Sequence, residues 1–280
     1  MKKFSILLVI LGILEISLAL YLTTWRMHFW DAIQLKQPLH FLQQLGIFTV
    51  VALVICFVTG ISGYLVSLTA IKWREKLNAK ALTVLKSRIE NINQRIQEDC
   101  QTYPDLVLNL AFGTLKAIIY IVVFSVSLLL SFHWWFLAIL LGYSLIGTGI
   151  THCIAKPLIR LNYDNQRAEA TYRNDLSVTN FNDCIRLMLG LAKKQKHLTY
   201  FQQFYGQLGV LIPILIIAPQ YFTSAMTLGV LMRFTSLSST ILENLSYGIN
   251  SFAQINRLLS CRRRLKEINV IGVKNEKLND

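Results

Sequence analysis

Residues 4–22 read FSILLVILGILEISLALYL, an apolar run in which Glu15 is the only charged residue. About 20 consecutive apolar residues cross the hydrocarbon core of a bilayer as a helix. The run follows Met1-Lys2-Lys3 and so imitates a secretory signal, but it is too long, contains an acid, and no small-residue cleavage site follows it. We therefore predict a first transmembrane helix whose amino end faces the cytoplasm.

Further apolar blocks along the chain decide the class of protein. Of the 280 residues, 54% are hydrophobic and only 15% are charged, with a mean hydropathy of +0.46. A soluble domain of this length carries about 25% charged residues. The sequence predicts an all-α membrane protein with six transmembrane helices, at about residues 4–22, 41–71, 104–132, 133–155, 205–222 and 227–255.

The net charge of +13 comes mainly from three basic segments, at residues 72–95, 156–196 and 257–277. Cytoplasmic loops of membrane proteins carry such an excess of Lys and Arg. We predict one transmembrane domain over residues 1–256, with cytoplasmic excursions at 72–103 and 156–203 and a short basic cytoplasmic tail at 257–280. The expected location is a bacterial inner membrane, multi-pass, with both termini in the cytoplasm. No basic stretch lies on a foldable soluble domain, so a nucleic-acid partner is not expected.

Six spans with short outer turns and two long inner excursions form one half of an ABC-exporter-type transmembrane domain. The outer connection after the first span holds Trp25 and Trp30, aromatic residues typical of the membrane–water interface, and Pro38, which we expect to break the chain. One half cannot enclose a large translocation path, so we predict that the chain functions as a dimer.

The sequence carries no GxxxxGK[ST] phosphate loop, no nucleophile–base pair and no metal-ligand spacing. We therefore expect no enzymatic activity, no cofactor and no bound metal. Energy for transport would come from a separate ATPase chain or from an ion gradient.

An ion-gradient carrier needs titratable groups inside the membrane, where such groups are costly and usually face a cavity or a partner. Four fall within the spans: Glu15, Lys116, Arg233 and Glu243. Glu15 and Lys116 lie about 11 and 12 residues from the inner ends of their helices, roughly 16 and 18 Å, and hence near the bilayer centre. Glu15 either binds protons in a cavity or pairs with Lys116 as a structural ion pair. For Glu243 we favour a cavity role, whereas Arg233 is close enough to the outer end to reach water.

Two polar segments resemble a known family. Residues 93–99, NQRIQED, resemble the QR-x-QED signature of the SbmA/BacA peptide-antibiotic transporters, and residues 165–176, NQRAEATYRNDL, resemble the extension of that family's fourth helix. Similar matches continue through residues 218–222, 227–229 and 249–252 in the right order. By this match Glu98, Asp99 and Glu169 are candidates for proton coupling, together with Glu15 and Glu243, which rest on membrane physics alone. Candidate structural or coupling residues are Gln94, Arg95, Arg167, Tyr172 and Lys116.

The resemblance implies a homodimeric inner-membrane importer of antimicrobial or other modified peptides, driven by the proton gradient and without an ATPase domain of its own. The chain is shorter than typical members of that family before the QED segment and at residues 177–200. Two alternatives stay open: a membrane subunit of an ABC transporter that works with a separate ATPase chain, and an inactive remnant of such a transporter.

Overall fold

A computed structural model of the chain describes residues 2–84, 92–174, 178–223 and 225–267. These described residues contain helices and turns and no strand. The helices are α1 (Lys2–Gln34), α2 (Pro38–Val84), α3 (Ile92–Ser131), α4 (Trp134–Asn174), α5 (Val178–Phe222), α6 (Leu228–Leu245), α7 (Tyr247–Asn250) and α8 (Phe252–Glu267). The predicted all-α class is confirmed.

Five of these helices are long and apolar enough to cross a membrane, over Ile6–Gln34, Pro38–Leu82, Gln97–Ser131, Trp134–Ile154 and Phe181–Phe222. The sixth predicted span falls on α6, which has 18 residues and is about 27 Å long, slightly less than the hydrocarbon thickness. Arg233 and Glu243 also lower its hydropathy. A sixth membrane crossing therefore stays a prediction. The other five helices support a multi-pass membrane protein.

The helices run well past the spans expected from hydropathy. α2 has 47 residues and α5 has 45, so each is about 70 Å long against a hydrocarbon core of about 30 Å. The polar segments predicted as excursions at 72–103 and 156–203 continue the helices on either side of them, except where residues 85–91 and 175–177 lie outside the description. Hydropathy marks only the apolar part of a helix, so it ends a span where the helix itself continues.

The segment after residue 256, expected to be a tail, is helical to Glu267 in α8. Cys261 and Leu265 on this helix are almost fully buried. Their spacing of four residues places both side chains on one face, which packs against the rest of the fold. The amphipathic pattern, rather than the high charge, decides the structure of this segment.

The described residues form two compact units, of which the first comprises residues up to Phe124, residues 228–233 and residues from Asn250 onward. A tight turn in this unit joins α1 to α2. The amide of Gln37 donates to the Ala32 carbonyl at 2.9 Å and that of Lys36 to Ile33 at 3.1 Å, with Lys36 at a φ of 54°. This left-handed residue closes α1 in a Schellman motif. Pro38, expected to break the chain, begins α2, because the first residue of a helix needs no amide donor.

An aromatic cluster lies on α1 and α2 just inside this turn. The Trp25 ring stacks on Phe29 and Phe48 with centroids 5.0 and 4.7 Å apart, and its indole Nε1 donates to the Gln44 carbonyl at 2.8 Å. An amphipathic indole of this kind suits the boundary between lipid and water. The cluster therefore fixes α1 against α2 next to the turn that joins them.

The second unit comprises residues 125–227 and 234–249. An edge-to-face aromatic group joins the start of α4 to α6: Phe136 and Phe234 have centroids 4.8 Å apart, and Phe132 lies 5.0 Å from Phe234. Phe136 and Phe234 are almost fully buried. These rings form the core at one end of the unit.

Candidate functional site

An ion pair joins α1 to α3 within the apolar part of both helices. The Lys116 Nζ donates to Glu15 Oε2 at 2.5 Å, and the side chains are 32% and 17% exposed. Gly12, three residues before Glu15 and so on the same helix face, provides space for the lysine: a Cβ there would lie 3.7 Å from Lys116 Cε. The structure shows the contact expected of a structural ion pair between these two residues.

The chemistry of this pair follows from its surroundings. A lone carboxylate or ammonium near the bilayer centre is costly, about 2.5–3.5 kcal/mol on insertion scales for Asp or Lys. A hydrogen-bonded pair removes most of that cost because each group supplies the counter-charge of the other. Glu15 and Lys116 together therefore form a neutral unit that holds α1 to α3.

A second ion pair lies near the amino-terminal end of α3. The guanidinium of Arg264 on α8 binds the Asp99 carboxylate through two nitrogens, Nε to Oδ2 at 2.8 Å and Nη2 to Oδ1 at 2.6 Å. The Cys261 thiol lies 3.4 Å from Asp99 Oδ1. The Asp99 side chain is only 4% exposed, whereas that of Arg264 is 44% exposed. This fork of two parallel hydrogen bonds is the strongest geometry available to an arginine–carboxylate pair.

Two side chains on α8, Arg264 and Cys261, have pKa values shifted by this environment. Hydrogen bonding to Asp99 raises the pKa of the Arg264 guanidinium above its usual value, so the guanidinium stays protonated. Burial, and then the nearby charge of Asp99, raises the pKa of the Cys261 thiol. A neutral thiol in such a place is a packing group and not a reactive nucleophile.

Apolar packing surrounds the Asp99–Arg264 pair. Leu265 of α8 packs in a buried cluster with Leu77 and Ala81 of α2 and with Cys100 of α3. The α8 helix is thus held to the carboxyl-terminal part of α2 and the amino-terminal part of α3 by both apolar contacts and a bidentate ion pair. Asp99 and Lys116 lie on the same helix 17 residues apart, about 25 Å, so the two ion pairs are separate sites.

The remaining predicted site residues do not join either pair among the contacts described. Glu98 and Glu243 have exposed side chains. Tyr172 is half-buried and packs against Phe181 with ring centroids 5.4 Å apart. The side chains of four others lie outside the described part of the structure: Gln94, Arg95, Arg167 and Glu169.

Sequence reasoning missed a pair of helix caps between α1 and the first turn of α6. Gln34 Oε1 accepts from the Leu228 amide at 2.7 Å, and Asp31 Oδ1 accepts from the Gly229 amide at 2.9 Å. The first amides of a helix have no partner within it and favour a negative charge. A Cβ at Gly229 would collide with the Met27 carbonyl oxygen and with Asp31, so only glycine fits at this close approach. In the sequence, the glycine at position 229 was the only residue of this contact that could have indicated a close approach between helices.

A tyrosine pair in the second unit was also missed. The rings of Tyr143 and Tyr205 lie parallel with centroids 4.4 Å apart, and each hydroxyl reaches the backbone carbonyl of the other residue, at 2.5 and 3.3 Å. Gly147, one turn from Tyr143, leaves room for the Tyr205 ring, which a Cβ at residue 147 would overlap. The contact joins α4 to α5 within their apolar segments.

Among the described residues, no group of three or more His, Cys, Asp or Glu side chains could hold a metal ion. The arrangement instead consists of paired charges and interhelical hydrogen bonds. These contacts hold the helices in fixed positions relative to one another, and the helices can move when an ion pair opens.

Several relatives are named as ABC transporters. The chain is 25% identical to the inner membrane ABC transporter ATP-binding protein YddA of Escherichia coli, over 94% of this chain and 55% of the relative. It is 26% identical to an uncharacterized ABC transporter ATP-binding protein of Haemophilus influenzae, over 82% of this chain and 46% of the relative. It is 25% identical to the chloroplastic ABC transporter D family member 2 of Arabidopsis thaliana, over 65% and 29%. The chain thus spans about half or less of the length of these relatives.

The region matched by a family description covers more than half of the chain. Residues 3–180 match the ABC transporter transmembrane region 2. This stretch contains α1 to α4 and the Glu15–Lys116 pair. On this match, and with five helices suited to crossing a membrane, the chain belongs to the ABC transporter transmembrane region 2 family.

Proposed function

We propose that this chain is the membrane half of a dimeric, ATP-driven transporter of the bacterial inner membrane, working with an ATP-binding module. The observation that carries the proposal is the Glu15–Lys116 ion pair. A carrier driven by protons needs an acid in the membrane that can gain and lose a proton. Glu15, which the sequence places near the bilayer centre, is paired with a lysine, so energy from ATP fits the geometry better.

The printed names of the relatives support this proposal. Two of those described above are called ATP-binding proteins, and this chain aligns with about half of each. The aligned half is membrane-spanning in this chain, since residues 3–180 carry four of its five candidate spans. A chain that resembles the membrane half of such a relative accounts for both the family match and the alignment with only about half of each relative.

The helical extensions provide a mechanical route to such a module. α2 and α5 exceed the hydrocarbon thickness by about 40 Å each. A rigid helix carries displacement along its axis, so a module bound at the inner ends could alter the outer ends. Transport then follows by alternating access between inward-open and outward-open states. A substrate or nucleotide shifts these states only by its difference in affinity for them.

A second candidate is a homodimeric importer of cationic peptides driven by the proton gradient, as the resemblance to the SbmA/BacA transporters implies. Its specific support is the exposure of the Glu98 and Glu243 side chains, which lack the counter-charge that neutralises Glu15 among the contacts described. In a dimer these acids could line a cavity and attract a cationic peptide. Their protonation would then bias the switch to the inward-open state.

The test is accumulation of a fluorescent cationic antimicrobial peptide in cells that carry the chain. One set of cells is depleted of ATP with the proton gradient maintained, and another receives a protonophore with ATP held constant. With the cationic peptide that the family resemblance implies as the substrate, we expect uptake to fail on ATP depletion and to survive the protonophore. The paired variants Glu98→Gln and Glu243→Gln should both retain uptake.

The opposite pattern would reject ATP-driven transport. Uptake that fails with the protonophore, and that both glutamine variants abolish at normal expression and dimerisation, establishes the proton-driven importer. No uptake under either condition, with normal membrane insertion, rejects a peptide substrate and favours the inactive-remnant alternative.

A further inference from the structure

The α8 helix carries an outward face that none of the contacts above uses. Ile255 and Leu259 are 38% and 54% exposed, and Arg262 and Lys266 are exposed as well. These four residues follow the spacing i, i+4, i+7 and i+11, so they form one stripe along the helix. We call these residues the α8 stripe. It combines two large apolar side chains with two cations.

The position of α8 relative to the membrane follows from the residues that it contacts. The α8 residue Leu265 packs against Cys100, which lies near the end of the candidate span Gln97–Ser131. Cys100 is 16 residues from Lys116, or about 24 Å along α3. With Lys116 near the bilayer centre, that distance reaches the outer edge of the headgroup region, which lies about 20–22 Å from the centre. Arg262 and Lys266 lie within three residues of Leu265 in the chain, so the cations of the α8 stripe lie near this level of α3.

The chemistry of the α8 stripe selects an anionic lipid surface. Clusters of Lys and Arg directly next to a transmembrane segment, or on an amphipathic helix, bind acidic phospholipid headgroups, and apolar side chains on the same face enter the interface. The Asp99–Arg264 pair and the buried Leu265 fix the opposite face, so the rotation of α8 is set before any lipid binds.

We propose that the α8 stripe is a docking surface for acidic phospholipid headgroups at the cytoplasmic leaflet, held in register by the Asp99–Arg264 ion pair. The inference rests on the proposed membrane orientation and does not depend on the energy source. Its consequence is that the lipid composition of the leaflet stabilises the α8 position and, through α8, the inner ends of α2 and α3.

The experiment uses the full chain in nanodiscs, without ATP or substrate. Hydrogen exchange of α8 is measured in discs of phosphatidylcholine and in discs of equal parts phosphatidylcholine and phosphatidylglycerol. One basic residue near an acidic surface contributes about fivefold in binding, equivalent to about 1 kcal/mol. We expect slower exchange of α8 in the acidic discs, by up to about thirtyfold for two residues. The slowing should disappear when salt rises from about 0.1 M to about 1 M, because the Debye length falls from about 10 to about 3 Å.

A charge-matched pair of variants tests the residues themselves. Arg262→Gln with Lys266→Gln should abolish the difference between the two kinds of disc. Lys193→Gln with Lys194→Gln removes the same charge from exposed positions on α5 and should leave the difference intact. Equal exchange in both discs for the unmodified chain, or slowing that persists in the Arg262/Lys266 variant, overturns the proposal. Slowing that appears only after a cytosolic protein fraction is added also overturns it, in favour of a protein partner. Because no transport is measured, failure here leaves the ATP-driven mechanism untouched.

Discussion

Separating Glu15 from Lys116 should destabilise the fold in a way that only a paired charge explains. Glu15→Gln leaves an unpaired ammonium and Lys116→Met an unpaired carboxylate. Removing one partner of a fully buried pair costs about 3–5 kcal/mol. The side chains here are 17% and 32% exposed, so we expect about 2 kcal/mol for each single variant. The double variant has no charge left to compensate, and its cost should be only about 1 kcal/mol, from lost packing.

The assay is reversible unfolding in mixed micelles, followed by circular dichroism, with the free energy of unfolding as the readout. A double-mutant cycle then gives a coupling energy of about 3 kcal/mol. Ser17→Ala, on the exposed side of α1, is the control, since its hydroxyl bonds only to the Ile13 carbonyl among the contacts described. It should change stability by less than about 0.5 kcal/mol. Single effects that are small and add without coupling would refute the ion pair as a structural element and return Glu15 to the set of proton-binding candidates.

Three further predictions concern contacts between helices. Gly147→Ala should destabilise the second unit by about 1–3 kcal/mol, because the new methyl group overlaps the ring of Tyr205, which two hydrogen bonds hold against Tyr143. The control Gly149→Ala has open space around it and should be neutral or slightly stabilising in the same unfolding assay. Gly229→Ala should cost a similar amount, since the methyl group meets a backbone oxygen of α1; a cost no larger than that of Gly149→Ala would contradict the close approach. At pH 9.0, the ordinary thiol value, Cys261 should resist alkylation in the folded chain and react after unfolding, as followed by mass spectrometry. The raised pKa keeps the Cys261 thiol neutral at that pH, and the free energy of unfolding falls as the pH rises further. Asp99→Asn should lower the pKa of the thiol in part, because burial still raises it. Rapid alkylation of the folded chain would contradict the buried site.

The helical class and the membrane location could be predicted because apolar runs are local. Every residue of the run at 4–22 contributes to the same signal, and no distant contact is needed to interpret it. The ends of the helices could not be predicted in this way. α2 continues to Val84 because its polar residues after Lys72 are compatible with a helix, and hydropathy does not distinguish a solvated helix from a loop.

The two ion pairs show what the sequence can and cannot determine about the site. Depth alone placed Glu15 and Lys116 near one level of the bilayer, so their contact could be weighed from the sequence. The partner of Asp99 could not be found in this way. Arg262, Arg263 and Arg264 are equivalent in composition, and only the phase of α8 and its packing against Cys100 select the third.

The Glu15–Lys116 contact joins positions 101 residues apart, and this separation bears on how the protein is made. A ribosome adds about 5–20 residues per second, so Lys116 reaches the membrane about 5–20 s after Glu15. During that interval the first helix holds an acid without its counter-charge. The cost of that unpaired acid is recovered only when α3 arrives, so the order of synthesis places the α1–α3 pairing after the contact of α1 with α2.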